Sequence, residues 1–359
     1  MNAFLINRRI DLVDFEGLKL FMFEDDNLYQ TLIPPHRKHQ DLRAYQRSVP
    51  VLSPVTPANV HTVTSARYGS LLVLNHLWEH KVDFVVLDIG SYVGTFALKV
   101  ASFIRTFGRD TKVISFDPSE VGALVPCSIE LNKLDAIVKH EELAVSDLDG
   151  FVLFRHQPCH ADAGAVIVSN LGSGELAALW LRRTFRLPFR QMVRGLFLLA
   201  LQAVKRLVRR NVRGYTLIVR SVDILGYLER IHCETNLFVK IDIEGYDPQV
   251  IDRLLTQLGQ RLIFIIFEFT PIRFSNNQEA VLYLERLGES FHLFDLYYCP
   301  NATRIRRIDP RALRGFVAEV GRRPHGYTDV FMLDKRTPGC AELLNRLASL
   351  AEEADGVVL

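Results

Sequence analysis

Phe84-Val-Val-Leu-Asp-Ile-Gly-Ser-Tyr-Val-Gly94 carries a β-branched apolar run into an Asp-x-Gly-x-x-x-Gly turn. Beyond the turn Phe96, Val100, Phe103, Ile104 and Phe107 recur at the spacing of one apolar helix face. Strand, glycine turn and helix follow in that order. A second run, Lys112-Val-Ile-Ser-Phe116, ends on Asp117-Pro118, and the pattern then predicts a helix from about Glu120 to Leu134 and a third strand around Glu142 to Val145. Apolar runs alternating with helical periods imply an α/β fold, a sheet built by parallel crossovers.

Leu237-Phe-Val-Lys-Ile241 reads as a buried strand ending on Asp242, and Asp242-Ile-Glu-Gly245 opens a helix that Pro248 suits, since proline is tolerated in a first turn. Leu262 to Glu268 is another apolar strand, and Phe151 to Phe154 and Tyr215 to Arg220 are candidate hairpin strands. A helix is expected from Gln278 to Leu287, and Leu293 to Tyr298 with Asp329 to Leu333 would finish the sheet with an antiparallel edge. The last 25 residues read as a polar-faced helix and tail. Three regions result: an N-terminal extension over 1–67 packed on the core, a main domain over 68–335 with a helical insertion at 172–214, and a C-terminal helix and tail over 336–359.

With 359 residues, 48% of them hydrophobic, the chain can bury a large core. A net charge of +2 gives no argument for a nucleic-acid partner. Five scattered cysteines (Cys127, Cys159, Cys233, Cys299 and Cys340) suit free thiols in a reducing compartment. The first fifteen residues mix Asn7, Arg8, Arg9, Asp11 and Asp14 among apolar ones, unlike a signal peptide, and no stretch reaches the roughly 18 apolar residues of a spanning helix. A cytoplasmic protein is expected, with any membrane contact peripheral to the inner face.

Glycines in a turn between strand and helix let the backbone approach a ligand, and the helix N-terminus offers unpaired N–H groups to it; the same turn can also form with no ligand. Asp117, 23 positions after Gly94, stands where a carboxylate pairs with ribose hydroxyls, or it is a helix N-cap. Nicotinamide enzymes want Gly-x-Gly-x-x-Gly, and Tyr92 occupies the place of a close-approach glycine. A carboxylate at Asp88 suits a methyl donor better, accepting from the amino group of its methionine moiety or holding the turn itself. Asp242-Ile-Glu-Gly245 is not the Asn/Asp-Pro-Pro-aromatic tetrapeptide of amide and base methylation, so nucleic-acid bases are not expected acceptors. Pro126-Cys127 falls on a helix, out of place for cytosine chemistry, and Cys127 reads as a buried thiol.

Three segments together resemble the FkbM-type methyltransferase family: Val86 to Gly94, Ser221-Val-Asp-Ile-Leu225, and Phe238-Val-Lys-Ile-Asp-Ile-Glu-Gly245 followed by Ile265-Ile-Phe-Glu268. The Lys-Ile-Asp-Ile-Glu-Gly hexapeptide is the most specific of them, and the resemblance spans roughly Tyr68 to Asp334 apart from one insertion. It implies a class I methyltransferase fold, a Rossmann-like sheet of seven mostly parallel strands with helices on both faces, and S-adenosylmethionine as donor. It also implies transfer to a hydroxyl oxygen of a sugar, glycolipid or secondary metabolite. Carried over by position, Asp88, Gly90 and Gly94 would line the methionine end of the donor and Asp117 the ribose, with Ser91, Ser146 and Asp242 as further donor contacts. Asp242 and Glu244 would face the transferred methyl. The family usually has Asn at Tyr92 and Glu at Asp117.

A general base at such a strand end would be Asp242 or Glu244, with His160, His232 and His292 as other candidates. Against this, Asp242 could orient the donor or cap the helix while Glu244 bonds backbone amides near Gly245. Asp242, Glu244 and Glu268 could also gather magnesium, whereas His156-Gln-Pro-Cys159-His160 lacks a fourth ligand and reads as loop. No metal is assigned. Between Gly172 and Gly214 ten Lys or Arg face one acidic residue, Glu175. From Phe189 to Arg210 the apolar residues form one stripe bordered by Arg190, Arg194, Lys205, Arg206 and Arg209. That basic helix could lie on a membrane and meet a lipid-linked acceptor, or pack as a lid or dimer contact. The rival functions are a scaffold that has lost its donor and a nucleotide-dependent oxidoreductase.

Overall fold

A computed structural model describes residues 10–15, 18–23, 69–147, 149–156, 165–171, 215–231, 234–243, 245–257, 259, 261–299, 302–323 and 326–356. In chain order the elements are β1 (Ile10–Phe15), β2 (Leu18–Phe23), α1 (Gly69–Glu79), β3 (Phe84–Ile89), α2 (Thr95–Thr106), β4 (Val113–Phe116), α3 (Val125–Leu131), β5 (Val138–Glu141), β6 (Ala144–Ser146), β7 (Gly150–His156) and β8 (Ala165–Leu171). Then come β9 (Tyr215–Asp223), α4 (Ile224–Arg230), β10 (Asn236–Ile241), α5 (Asp247–Gln257), β11 (Ile263–Phe269), α6 (Asn277–Ser290), β12 (Phe291–Cys299), β13 (Ala302–Arg307), α7 (Leu313–Gly321), β14 (Thr328–Asp334) and α8 (Cys340–Gly356).

The main sheet has the order β13-β12-β14-β11-β10-β3-β4-β5. Strands β5, β4, β3, β10 and β11 are joined in parallel, β14 runs against both β11 and β12, and β13 runs against β12. The sheet is Rossmann-like and mixed, and it corrects the expected strand count: eight strands, not seven. The antiparallel β14 is not an edge strand but sits between β11 and β12, and the added edge is β13. That strand, Ala302-Thr-Arg-Ile-Arg-Arg307, is mostly polar, as a one-sided edge strand can be, so it gives no apolar run to find. The third strand also moves. Val138–Glu141 pairs with β4 at the other edge, while Ala144–Ser146 leaves for a separate four-stranded sheet of order β6-β9-β7-β8.

Alternation of side chains along the strands builds two cores. Val86, Phe238, Phe264 and Phe331 face α1, α2, α3 and α8, and Leu87, Val239, Ile265 and Met332 face α4 to α7. Burying each such side chain is worth about 1.5–3 kcal/mol, which makes the middle of the sheet the stable part of the molecule. Leu18, Leu20 and Met22 of β2 join the first core. Asn132 and Ser128 hold that strand, each accepting from a β2 backbone N–H at 3.0 Å. The basic stretch 172–214 lies outside the described residues, as do Cys159, His160 and His232. None of the helices among the described residues is long and apolar enough to cross a membrane.

Candidate active site at the switch point of the sheet

From β3 the chain winds outward through β4 to β5, and β10, on the other side of β3, winds away through β11. The carboxyl ends of β3 and β10 therefore flank a reversal in strand order, the place where open α/β sheets bind ligands. Register sets Lys240 directly beside Asp88. Backbone bonds stitch the turns to their neighbours: Asp242 N–H donates to the Ile89 carbonyl, and Gly90 and Ser91 N–H groups to that of Phe116.

Asp88 is fully buried and accepts from the Ala97 N–H at 3.0 Å through Oδ2, which fixes the first turn of α2. Its Oδ1 has no hydrogen-bond partner among the described residues, with the Lys240 ammonium 3.9 Å away. Burial raises its pKa to about 6, against the pull of Lys240. Lys240 donates to Asp242 Oδ2 at 3.0 Å, and that pairing with two carboxylates holds its pKa above the ordinary lysine value despite desolvation. Asp242, with 43% of its side chain exposed, is the open end of this chain of charges.

Asp117 accepts from the Tyr92 N–H at 2.8 Å, from the Ser119 N–H at 2.8 Å and from the Ser119 hydroxyl, and burial raises its pKa to about 6. It thereby holds Tyr92 in the left-handed region, φ 52°. The Ser91 hydroxyl bonds Ser115, which bonds His140 Nδ1 at 2.6 Å; burial lowers the His140 pKa to about 4, keeping the ring neutral. The two glycines serve packing. A Cβ on Gly90 would lie 1.9 Å from the Asp242 carbonyl oxygen, and one on Gly94 would lie 3.0 Å from Val125 of α3. Asp247, buried at the start of α5, accepts from the Gly245 N–H at 3.0 Å, and desolvation raises its pKa to about 7.

Asp88, Gly90, Ser91, Asp117 and Asp242 thus come together, with Gly94 behind them. Ser146 ends β6 in the other sheet, paired with Asp223 and followed by Asp147, which accepts from the Tyr246 hydroxyl at 2.7 Å, and Glu244 lies outside the described residues. Asp223, inside the Ser221–Leu225 segment, caps α4 and pairs with Arg253 at 3.0 Å. Two expectations are corrected. His292 sits opposite Leu333, which pairs with Phe264 near the start of β11, so it is at the far end of the sheet from Asp242; the following strand begins there. Cys127 is exposed, because it lies on the outer side of α3. Glu268 accepts from Thr270 at 2.7 Å and lies 3.4 Å from Arg273. Among the described residues no group of three or more His, Cys, Asp or Glu is arranged to hold a metal ion.

Lys240, Asp247 and the Ser115–His140 pair had no role assigned from sequence. The signal for Lys240 was present, a lone cation inside Leu237-Phe-Val-Lys-Ile241, a strand otherwise apolar. The fold and site define a Rossmann-like α/β protein with a cluster of carboxylates, Asp88 and Asp117 buried and Asp242 partly exposed, at its switch point. No family model matches the chain, and no curated protein does. The fold is similar to that in the crystal structure of methyltransferase FkbM from Methylobacillus flagellatus KT, at 11% identity and a TM-score of 0.33, over 77% of this chain and 55% of that one. The chain thus spans about half the length of that protein, and so loose a likeness carries no argument about activity.

Proposed function

We propose that the chain is an S-adenosylmethionine-dependent methyltransferase that methylates a hydroxyl of a small-molecule, sugar or glycolipid acceptor. The observation that carries this reading is the charge at the switch point: Lys240 is shared by Asp88 at 3.9 Å and Asp242 at 3.0 Å, and Asp117 adds a third carboxylate at the end of the neighbouring strand. An excess of carboxylates at this strand end complements a donor bearing a sulfonium and an ammonium, and opposes the pyrophosphate of a dinucleotide. Asp88 Oδ1, buried and without a hydrogen-bond partner among the described residues, adds negative charge behind the site that Lys240, 3.9 Å away, offsets only in part. When bound, S-adenosylmethionine supplies a methyl group activated by its sulfonium.

The chain's own part is to position and to take a proton. Lys240 donates to Asp242 Oδ2 at 3.0 Å and so aims that carboxylate at the end of β10. Asp242 can then accept the proton of an acceptor hydroxyl, a contribution of about 10² to 10⁴ in rate for a general base. Glu244 is the other candidate for that step. The basic stretch 189–210 is proposed to bring this site to a membrane surface when the acceptor is lipid-linked.

A second reading, a scaffold without a donor, is favoured by the tasks the same residues already perform. Asp117 spends its carboxylate on Tyr92 and Ser119, and the space at Gly90 is filled by Asp242 backbone. Calorimetric titration with S-adenosylmethionine and with NAD separates the readings. Roughly micromolar binding of the first and none of the second is expected; folded protein that binds neither is the scaffold.

A further inference from the structure

Between α5 and α6, past the carboxyl end of β11, lies a cleft of about 500 Å³ whose wall includes Gly245, three residues beyond Asp242. Arg273 lies across that turn: a Cβ on Gly245, φ +101°, would stand 3.0 Å from its Cδ. Inside the cleft wall Tyr283 is only 8% exposed, and its hydroxyl is buried with no hydrogen-bond partner among the described residues. A buried hydroxyl that has given up water and found no partner is a site waiting for one.

Charge limits what that partner can be. The two cations in the wall are already paired, Arg273 with Glu268 at 3.4 Å and Arg286 with Asp252 at 2.6 Å. Asp247 and Glu279 add two further carboxylates. The wall also carries apolar side chains: Leu282 is 53% exposed, and the Phe274 ring lies 5.4 Å from that of Tyr283.

We propose that this cleft is the acceptor site, and that it takes an uncharged, hydroxyl-bearing molecule with an apolar flank while turning away phosphates and carboxylates. The proposal rests on the methyltransferase reading. Tyr283 donates to or accepts from an acceptor oxygen, burial keeping its hydroxyl protonated. The apolar flank covers Phe274 and Leu282, and the surplus carboxylates repel anions, since specificity is set by repulsion as much as by attraction.

The test uses the full chain with ¹³C-methyl-labelled leucine, following Leu282 by NMR against two probes of one ring size: phenyl β-D-glucopyranoside, uncharged and rich in hydroxyls, and phenyl phosphate. A saturable Leu282 shift with the glucoside, none with the phosphate, and affinity for the glucoside weakened about threefold or more in Tyr283→Phe are expected. The proposal is overturned by no saturable shift with the glucoside, by phenyl phosphate binding as well or better, or by unchanged affinity in Tyr283→Phe. A parallel titration with S-adenosylmethionine keeps the failures apart. Donor binding without a glucoside shift overturns the cleft alone, whereas no donor binding overturns the methyltransferase reading and the acceptor role with it.

Discussion

Asp88, Lys240 and Asp242 form a chain of charge across the β3–β10 seam, sealed at Asp88 and open to solvent at Asp242. Removing the middle member strands a buried carboxylate, so Lys240→Met is expected to lose about 2–4 kcal/mol of stability, part of it recovered in the double variant with Asp88→Asn; urea unfolding of the four proteins checks the cycle. An additive cycle would show that the two side chains do not interact. Gly90→Ala meets both a left-handed φ of +80° and the Asp242 carbonyl, and about 2–4 kcal/mol of destabilisation is expected. Asp247 gives a pH dependence of definite sign. Its folded pKa of about 7 lies above the ordinary 3.8, so ionisation works against the fold, and the stability it contributes below pH 3.8 is lost as pH rises through about 7. Asn there can still accept from the Gly245 N–H. Asp247→Asn is therefore expected to raise the unfolding free energy measured in urea at pH 8 by about 1–2 kcal/mol, and to leave it nearly unchanged at pH 4; equal effects at both values would remove the linkage.

The elements legible in the sequence are those buried on both faces. Strands β3, β4, β10 and β11 are near-continuous apolar runs because helices cover both sides of them. Edge elements escape such reading: β5 buries Val138 alone, and β13 is half arginine. Of the four-stranded sheet the sequence shows β6, β7 and β9 only as separate strands and β8 not at all; β6 and β9 pair between residues 77 apart, and no local pattern reports a partner so distant. At the site, the carboxylates were legible as a group and their individual tasks were not. Asp117 sits as a ribose ligand would in the sequence pattern, yet in space it holds the Tyr92 turn. Gly90 and Gly94 obey the pattern for a reason of packing. The β2–α3 contact is another feature without a sequence signal, and it rests on Asn132, which accepts from Lys19 N–H and donates to the Lys19 carbonyl at 2.7 Å. Asn132→Ala is expected to speed amide exchange at Lys19 and Phe21 while leaving β10 protected, by hydrogen-exchange NMR; unchanged exchange would mean that the buried Leu18, Leu20 and Met22 hold β2 alone.

Across the whole molecule a near-neutral net charge conceals a division of labour. The sheet centre is apolar and stable, the strand ends at the switch point are acidic, and the basic stretch 172–214 carries the compensating charge. Stability and chemistry are thereby separated: the middle of β10 belongs to both cores, and only its last residues reach the switch point. In the function proposed, the Asp88–Lys240–Asp242 cluster recognises the positive charge of a methyl donor. The most direct measurement is calorimetric titration of wild type and Asp242→Asn with S-adenosylmethionine and with its neutral thioether product at low ionic strength. Wild type is expected to prefer the cationic donor, and the variant to lose most of that preference while still binding the product. Equal affinity of wild type for the two ligands, or a preference untouched in Asp242→Asn, would contradict the claim.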